Sequence, residues 1–89
     1  MEDEILEIEF ELGNGTKHEM KVKEVDSSEW EEIEKGAKAI IVLVDNQKQL
    51  IVINTADYDG VSFKLLDNPN GMSYHYEEDY ISRLFVEVK

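Results

Sequence analysis

The chain of 89 residues contains no cysteine, one proline and one arginine, Arg83. Without cysteine it can form no disulfide, thiolate zinc site or cysteine nucleophile. No apolar run approaches the roughly 18–20 residues of a membrane-spanning helix. The first residues, "MEDEILEIEF", are acidic where a secretory signal would be basic. We therefore expect one cytoplasmic domain, residues 1–89, with no membrane partner and a hydrocarbon core as its source of stability.

Basic residues are also scarce, since nine Lys and Arg face 21 Asp and Glu and give a net charge of −12. Such a surface repels the phosphates of nucleic acids and anionic lipids. A single arginine also leaves little capacity for bidentate contacts to phosphate or guanine. The composition disfavours direct nucleic-acid binding. It is compatible with a basic protein partner, and equally with a charge that only keeps a small protein soluble.

Apolar and charged residues alternate through residues 5–25, which is the period of half-buried strands. A three-residue loop at 13–15 makes this segment a hairpin and sets Phe10 opposite His18, so we predict a half-buried His18 packed on Phe10. The same register gathers the apolar side chains on one face. The other face carries Glu7, Glu9 and Glu11, with Glu11 opposite Lys17, Glu7 opposite Lys21 and Glu9 opposite Glu19.

Residues 27–35 predict one short helix, with Ser28 as its N-cap, Glu31 completing a capping box and Gly36 as its C-terminal stop. Its apolar stripe is narrow, so Trp30 must dock on a sheet. Residues 38–88 read as further strands, of which "AKAIIVLV" predicts a central strand covered on both faces. We expect an α+β, mostly β fold, with an antiparallel sheet or small barrel of six to seven strands.

The order of elements after the hairpin, a helix followed by five sequential strands joined by short turns, resembles that of SH3-like and Sm-like barrels. The resemblance rests on element order alone and implies no residue roles. An Sm-like architecture would imply a nucleic-acid-binding or self-assembling subunit, which we keep as an alternative function. Open sheet edges would also allow a homo-oligomer.

The segment "DYDG", residues 57–60, resembles part of a calcium-binding loop, because two aspartates precede a glycine. With Gly60 at the sixth position of an EF-hand loop, however, Thr55 falls at the first position and Leu66 at the twelfth, where acidic ligands are needed. We predict instead a tight turn in which Asp57 or Asp59 accepts backbone hydrogen bonds and Gly60 has positive φ. The segment "DNPNG" predicts a second turn, with Pro69 and Gly71 at its inner and last positions.

The segment "YHYEED" places His75, Glu77 and Asp79 on one face if the strand continues. Together with Asp57 and Asp59 they define an alternative function, a metal-binding or metal-assisted hydrolytic domain. Solvated strand residues explain the same pattern. We assign no catalytic residue, no metal site and no cofactor.

Tyr74 and Tyr76 fall on the opposite face, with Tyr58 and Tyr80 in nearby turns. Tyrosines can anchor protein interfaces or complete the rim of a core, and both interpretations stay open. Our main hypothesis is a small acidic non-enzymatic interaction module for a protein partner, in its sharpest form a nucleic-acid mimic or inhibitor of bacterial or phage style. Its candidate surface consists of Tyr58, Tyr74, Tyr76, Tyr80, Glu7, Glu9, Glu11, Glu77, Glu78 and Asp79.

Overall fold

Seven antiparallel strands form one sheet in the computed structural model, which describes residues 4–11, 15–68 and 70–88. In spatial order the strands are β1, β2, β7, β3, β4, β5 and β6. The predicted mostly β, antiparallel architecture is confirmed. The strand bounds are β1 Ile5–Glu11, β2 Lys17–Glu24, β3 Lys38–Leu43, β4 Lys48–Asp57, β5 Gly60–Leu65, β6 Tyr74–Glu77 and β7 Ile81–Glu87.

The sheet is strongly curled. Only the three residues Glu78–Tyr80 connect β6 to β7, although β6 is an edge strand and lies four strand positions from β7. In a flat sheet these strands would be about 19 Å apart, whereas four Cα steps span at most about 14 Å. Curling therefore brings the end of β6 beside the start of β7. The described strands β1 and β6 do not pair with each other, so the sheet is open and the SH3-like or Sm-like barrel is not confirmed.

The N-terminal hairpin has the predicted register. Phe10 lies opposite His18 and Ile8 opposite Met20, which puts the apolar side chains of both strands on one face. On the other face Glu7 lies opposite Lys21 and Glu9 opposite Glu19, again as predicted. The predicted loop at 13–15 includes residues 13 and 14, which lie outside the described residues; Gly15, its last position, has a φ of 85°.

The prediction of a helix at 27–35 is wrong, because the chain forms only a 3-10 segment at Ser27–Glu32. Ser28 is not its cap: the Ser28 hydroxyl donates to Asp26 Oδ2 at 2.9 Å, and Asp26 occupies the N-cap position. Two turns cannot support an α-helix alone. Among the described residues, no helix is long and apolar enough to cross a membrane.

Trp30 holds the 3-10 segment against the sheet. The side chain is 3% exposed and its indole Nε1–H donates to the Val25 carbonyl oxygen at 3.1 Å. Burying a large apolar side chain contributes roughly 1.5–3 kcal/mol, which is enough to fix a short segment that has little stability of its own. After this segment the chain continues at Ile33 in an extended conformation. Gly36, which has a φ of 90°, donates its N–H to the Ile53 carbonyl oxygen.

Two apolar clusters lie on the two faces of the sheet, and β3 separates them. Its residues 39–43 are all buried, as predicted for a central strand covered on both faces. The first cluster lies under the 3-10 segment and consists of Trp30, Ala39, Ile41, Leu43, Ile51, Ile53, Val61, Phe63, Ile81 and Leu84. The second lies under the N-terminal hairpin and consists of Met20, Val22, Ile40, Val42, Leu50 and Phe85.

The hairpin covers the second cluster by folding back over the sheet. Strand β2 pairs with β7 only through Val22, Lys23 and Glu24, and the rest of the hairpin leaves that ladder. Side chains of β1, such as Phe10, then pack on the cluster formed by β3, β4 and β7. His18 is half-buried opposite Phe10, as predicted, and its Nε2 is buried without a hydrogen-bond partner.

Candidate functional site

The turn between β4 and β5 is built around Asp57. Its Oδ1 accepts hydrogen bonds from the N–H of Asp59 at 2.9 Å and the N–H of Gly60 at 3.2 Å. Asp57 also lies opposite Gly60 in the β4–β5 ladder, so Tyr58 and Asp59 form a two-residue connection. The prediction that "DYDG" turns the chain through an aspartate side chain is confirmed. Because this carboxylate satisfies the turn, Asp57 has a structural role.

Gly60 is required by a close approach of β6. A Cβ at this position would overlap the Tyr76 carbonyl oxygen and lie 2.9 Å from the Glu77 Cα. Its φ is positive, at 158°, as predicted, which is a backbone conformation that residues with a Cβ rarely adopt. The missing side chain lets β6 lie tightly against the turn. Glu77, the partner of Gly60 in the ladder, is thereby fixed beside Asp59.

A second 3-10 turn, Glu78–Tyr80, follows β6. The Glu78 N–H donates to the Asp59 carbonyl oxygen at 2.9 Å, which ties this turn to the β4–β5 turn. At its other end the Tyr80 carbonyl oxygen accepts from the Val44 N–H at 3.0 Å. Backbone bonds therefore hold the turn on two sides before the chain enters β7.

An open groove of about 480 Å³ lies between these two turns. Among the residues that the structure describes, its lining contains four carboxylates and no lysine or arginine. We call the lining residues the acidic corner: Tyr58, Asp59, His75, Glu77, Glu78 and Asp79. Of these, the structure brings together all three acidic residues predicted from "YHYEED" and adds Asp59 from the neighbouring turn.

The acidic surface continues from the corner toward the 3-10 segment. Glu78 also lines a smaller cavity of about 120 Å³ together with Glu24 and Asp26. Arg83 lines the same cavity, but the structure records no ion pair between it and these carboxylates. Two acidic stretches that are more than 50 positions apart in sequence therefore meet at Glu78.

The glutamates of β1 do not join this surface. The strand order places β1 and β6 at opposite edges of the sheet. In addition, lysines of β2 lie among these glutamates: Lys21 is opposite Glu7, and Lys17 is opposite Glu11 with its Nζ 3.1 Å from Glu9 Oε1. The outer face of the hairpin consequently has mixed charge, and the predicted interaction surface splits into two parts with different electrostatics.

The four candidate tyrosines also divide into two pairs. Tyr74 and Tyr76 both stack on Phe63 with ring centroids 5.8 Å apart, so they complete the rim of the first apolar cluster. Tyr58 is 70% exposed at the tip of its turn and Tyr80 is 56% exposed. Tyr80 lies beside Val44, which is itself 61% exposed. Tyr58 and Tyr80 are therefore the most exposed of the four, while Tyr74 keeps 40% of its surface exposed beside Phe63.

Ser62 is a neighbour of His75 that the sequence did not indicate. The two residues are opposite each other on β5 and β6, and Ser62 Oγ lies 2.8 Å from His75 Nδ1. A serine and a histidine at this distance could activate a nucleophile if an acid oriented the ring. In the part of the chain that the structure describes, no carboxylate is hydrogen-bonded to His75. The contact orients the imidazole at the wall of the acidic corner, and knowledge of the β5–β6 register would have revealed it.

Converging metal ligands are not found in residues 4–11, 15–68 or 70–88, where no group of three or more His, Asp or Glu side chains could hold a metal ion. The residues of the metal-binding alternative are instead distributed over two turns and one strand. Asp57 turns inward to backbone N–H groups, whereas Asp59 and Asp79 line the groove. No observation of the geometry favours that alternative.

Comparisons with protein-family models, curated proteins and solved structures found no match for this chain. The functional argument therefore depends on the geometry of the acidic corner.

Proposed function

We propose that this protein is a small, non-enzymatic, cytoplasmic interaction module that binds a basic protein partner through the acidic corner. The observation that carries the proposal is a groove whose described lining residues include four carboxylates and no lysine or arginine, on a scaffold held by backbone hydrogen bonds. Because the backbone that carries these carboxylates is held before binding, less entropy is lost when a cation arrives. Their shared sign also steers a basic partner toward this face.

The partner that fits this surface presents lysine or arginine side chains from a convex segment. Arginine is best suited, because its planar group forms two hydrogen bonds to one carboxylate. Tyr58 and Tyr80 are exposed, Tyr58 in the lining of the groove and Tyr80 directly after Asp79 in the chain, and offer apolar contact and stacking surfaces for the same side chains. A partner that normally binds nucleic acid has this chemistry, so a nucleic-acid mimic remains the sharpest form of the proposal.

Self-association through the β1 edge is a weaker candidate. Any antiparallel pairing of two β1 strands that keeps their apolar faces together sets glutamate opposite glutamate, because Glu7, Glu9 and Glu11 occupy alternate positions. Like charges opposite each other destabilise a strand pair. The row of glutamates thus protects this edge, as charged residues do on many natural edge strands.

The test is affinity capture from a bacterial lysate with two immobilised baits, at about 0.05 M and about 0.5 M salt. One bait is the natural chain and the other is Glu77→Gln/Glu78→Gln/Asp79→Asn. We expect basic proteins to be retained by the natural chain at low salt, released at high salt and absent from the variant. Equal capture by both baits, or binding of purified nucleic acid to the natural chain, would refute the proposal.

A further inference from the structure

A second cleft lies between the N-terminal hairpin and the sheet, away from the acidic corner. Strand β2 pairs with β7 only at Val22–Glu24, near its C-terminal end. The rest of the hairpin folds over the second apolar cluster and leaves a space between itself and the sheet. The cleft has a volume of about 490 Å³. That value falls within the range of about 300–1,000 Å³ that is usual for small-molecule sites.

Five of the ten described residues that line this cleft are apolar, and the other five are polar or charged. Ile40, Val42 and Phe85 line its floor and are 2%, 8% and 7% exposed. Ile8 and Phe10 of the hairpin cover it from the other side, and both pack on the same cluster. An apolar chain entering the cleft would be shielded from water by both the hairpin and the sheet, which is the main source of affinity in such sites.

Two cations stand at the edge of the apolar floor. Val42 lies opposite Lys48 on one side and Arg83 on the other, so the register sets the three residues in one row across β4, β3 and β7. Within the described residues, neither cation has a hydrogen-bond or ion-pair partner. Glu9 also lines the cleft, but its carboxylate is engaged by Lys17 at 3.1 Å. The cleft therefore has positive charge available in a protein of net charge −12.

We propose that this cleft binds a small amphiphile of the fatty-acid type. The carboxylate contacts Arg83 and Lys48, and the hydrocarbon chain lies between the floor and the hairpin. Arginine recognises a carboxylate through two parallel hydrogen bonds. The net charge of the protein selects a ligand with one charge, since a nucleic acid or an anionic membrane brings many charges close to the acidic surface. This site is separate from the acidic corner, and the proposal does not depend on the function proposed for that corner.

The test is a titration of the full chain with dodecanoate below its micelle concentration, followed by calorimetry and by amide NMR shifts. Dodecanol and acetate are the matched ligands, because each carries only one half of the amphiphile. We expect saturable binding of dodecanoate, with the largest shifts at Ile8, Phe10, Val42 and Phe85. Dodecanol binding as tightly as dodecanoate, shifts centred on the acidic corner, or no saturable binding would overturn the proposal. These outcomes need no variant.

Variants then test the two cations. Arg83→Gln and Lys48→Gln should each weaken dodecanoate binding about fivefold, the upper end for an exposed ion pair, and the double variant about 25-fold if the two act independently. Lys38→Gln is the matched control, because Lys38 lies on β3 and is exposed but does not line the cleft. If Arg83 serves instead to balance Glu24 and Glu78, Arg83→Gln will leave the affinity unchanged, and that result would also refute the assignment.

Discussion

The outer face of the N-terminal hairpin and the acidic corner are both rich in glutamate, yet they differ in what surrounds each carboxylate. On the hairpin, lysines of β2 lie opposite or diagonal to the glutamates of β1, and Lys17 approaches Glu9 within 3.1 Å. At the corner, four carboxylates share a groove in which no lysine or arginine of residues 4–11, 15–68 or 70–88 takes part. Acidic residues in a sequence therefore form an uncompensated negative surface only when their neighbours in space carry no cation.

The two regions also differ in how the chain is turned. In the hairpin, Gly15 has a φ of 85°, which favours glycine, and an added Cβ there would meet no atom of the described residues within 4 Å. The β4–β5 turn ends at Gly60, where an added Cβ would overlap the backbone of β6. The first glycine serves only its own turn, whereas the second allows a neighbouring strand to approach and so assembles the corner.

Replacement of these two glycines gives the largest effect that we expect. Gly60→Ala should destabilise the fold by about 3 kcal/mol, because the Cβ overlaps backbone atoms that cannot move without displacing β6. Gly15→Ala should cost only about 1–2 kcal/mol, the strain of a left-handed alanine in open space. Urea unfolding measures both free energies. Equal losses for the two variants would show that β6 does not approach the turn as closely as described.

The two aspartates of "DYDG" give a smaller contrast. Asp57→Ala should lower the free energy of unfolding by about 1 kcal/mol, since two backbone N–H groups lose their acceptor. Asp57→Asn should recover most of that loss, because an amide oxygen can accept the same bonds. Asp59→Ala should leave the free energy of unfolding almost unchanged, while it removes one negative charge from the acidic corner. The assignment of roles fails if Asp59→Ala is the more destabilising change in the unfolding measurement.

Much of the sheet could be predicted from the sequence, because period-two alternation and turn residues are local signals. The register of the hairpin followed from one assumption, a three-residue loop at 13–15, since a slip of one residue would expose Phe10 and bury Glu9. The unbroken apolar run of β3 likewise predicted burial on both faces. The short helix could not be predicted correctly, because its conformation is decided by Trp30 docking on the sheet rather than by its caps.

The candidate site was only half predictable. The carboxylates after β6 are consecutive in sequence, so their proximity was evident. Their meeting with Asp59, and the continuation through Glu78 to Asp26, depend on the curl of the sheet and on the close approach at Gly60, which have no local signature. The same applies to Ser62 beside His75, and to Arg83 and Lys48 on the two sides of Val42, which the strand order brings together from distant positions.

The most direct test of the central claim compares two triple variants of equal charge. Glu77→Gln/Glu78→Gln/Asp79→Asn and Glu7→Gln/Glu9→Gln/Glu11→Gln each remove three negative charges and change the net charge from −12 to −9. Calorimetry at low salt with an eight-residue lysine peptide gives the affinity of each variant. We predict a loss of about tenfold for the corner variant, as expected for three exposed ion pairs of roughly 0.5 kcal/mol each, and less than twofold for the hairpin variant. Equal losses in the two variants would mean that only the net charge matters, and would contradict the account.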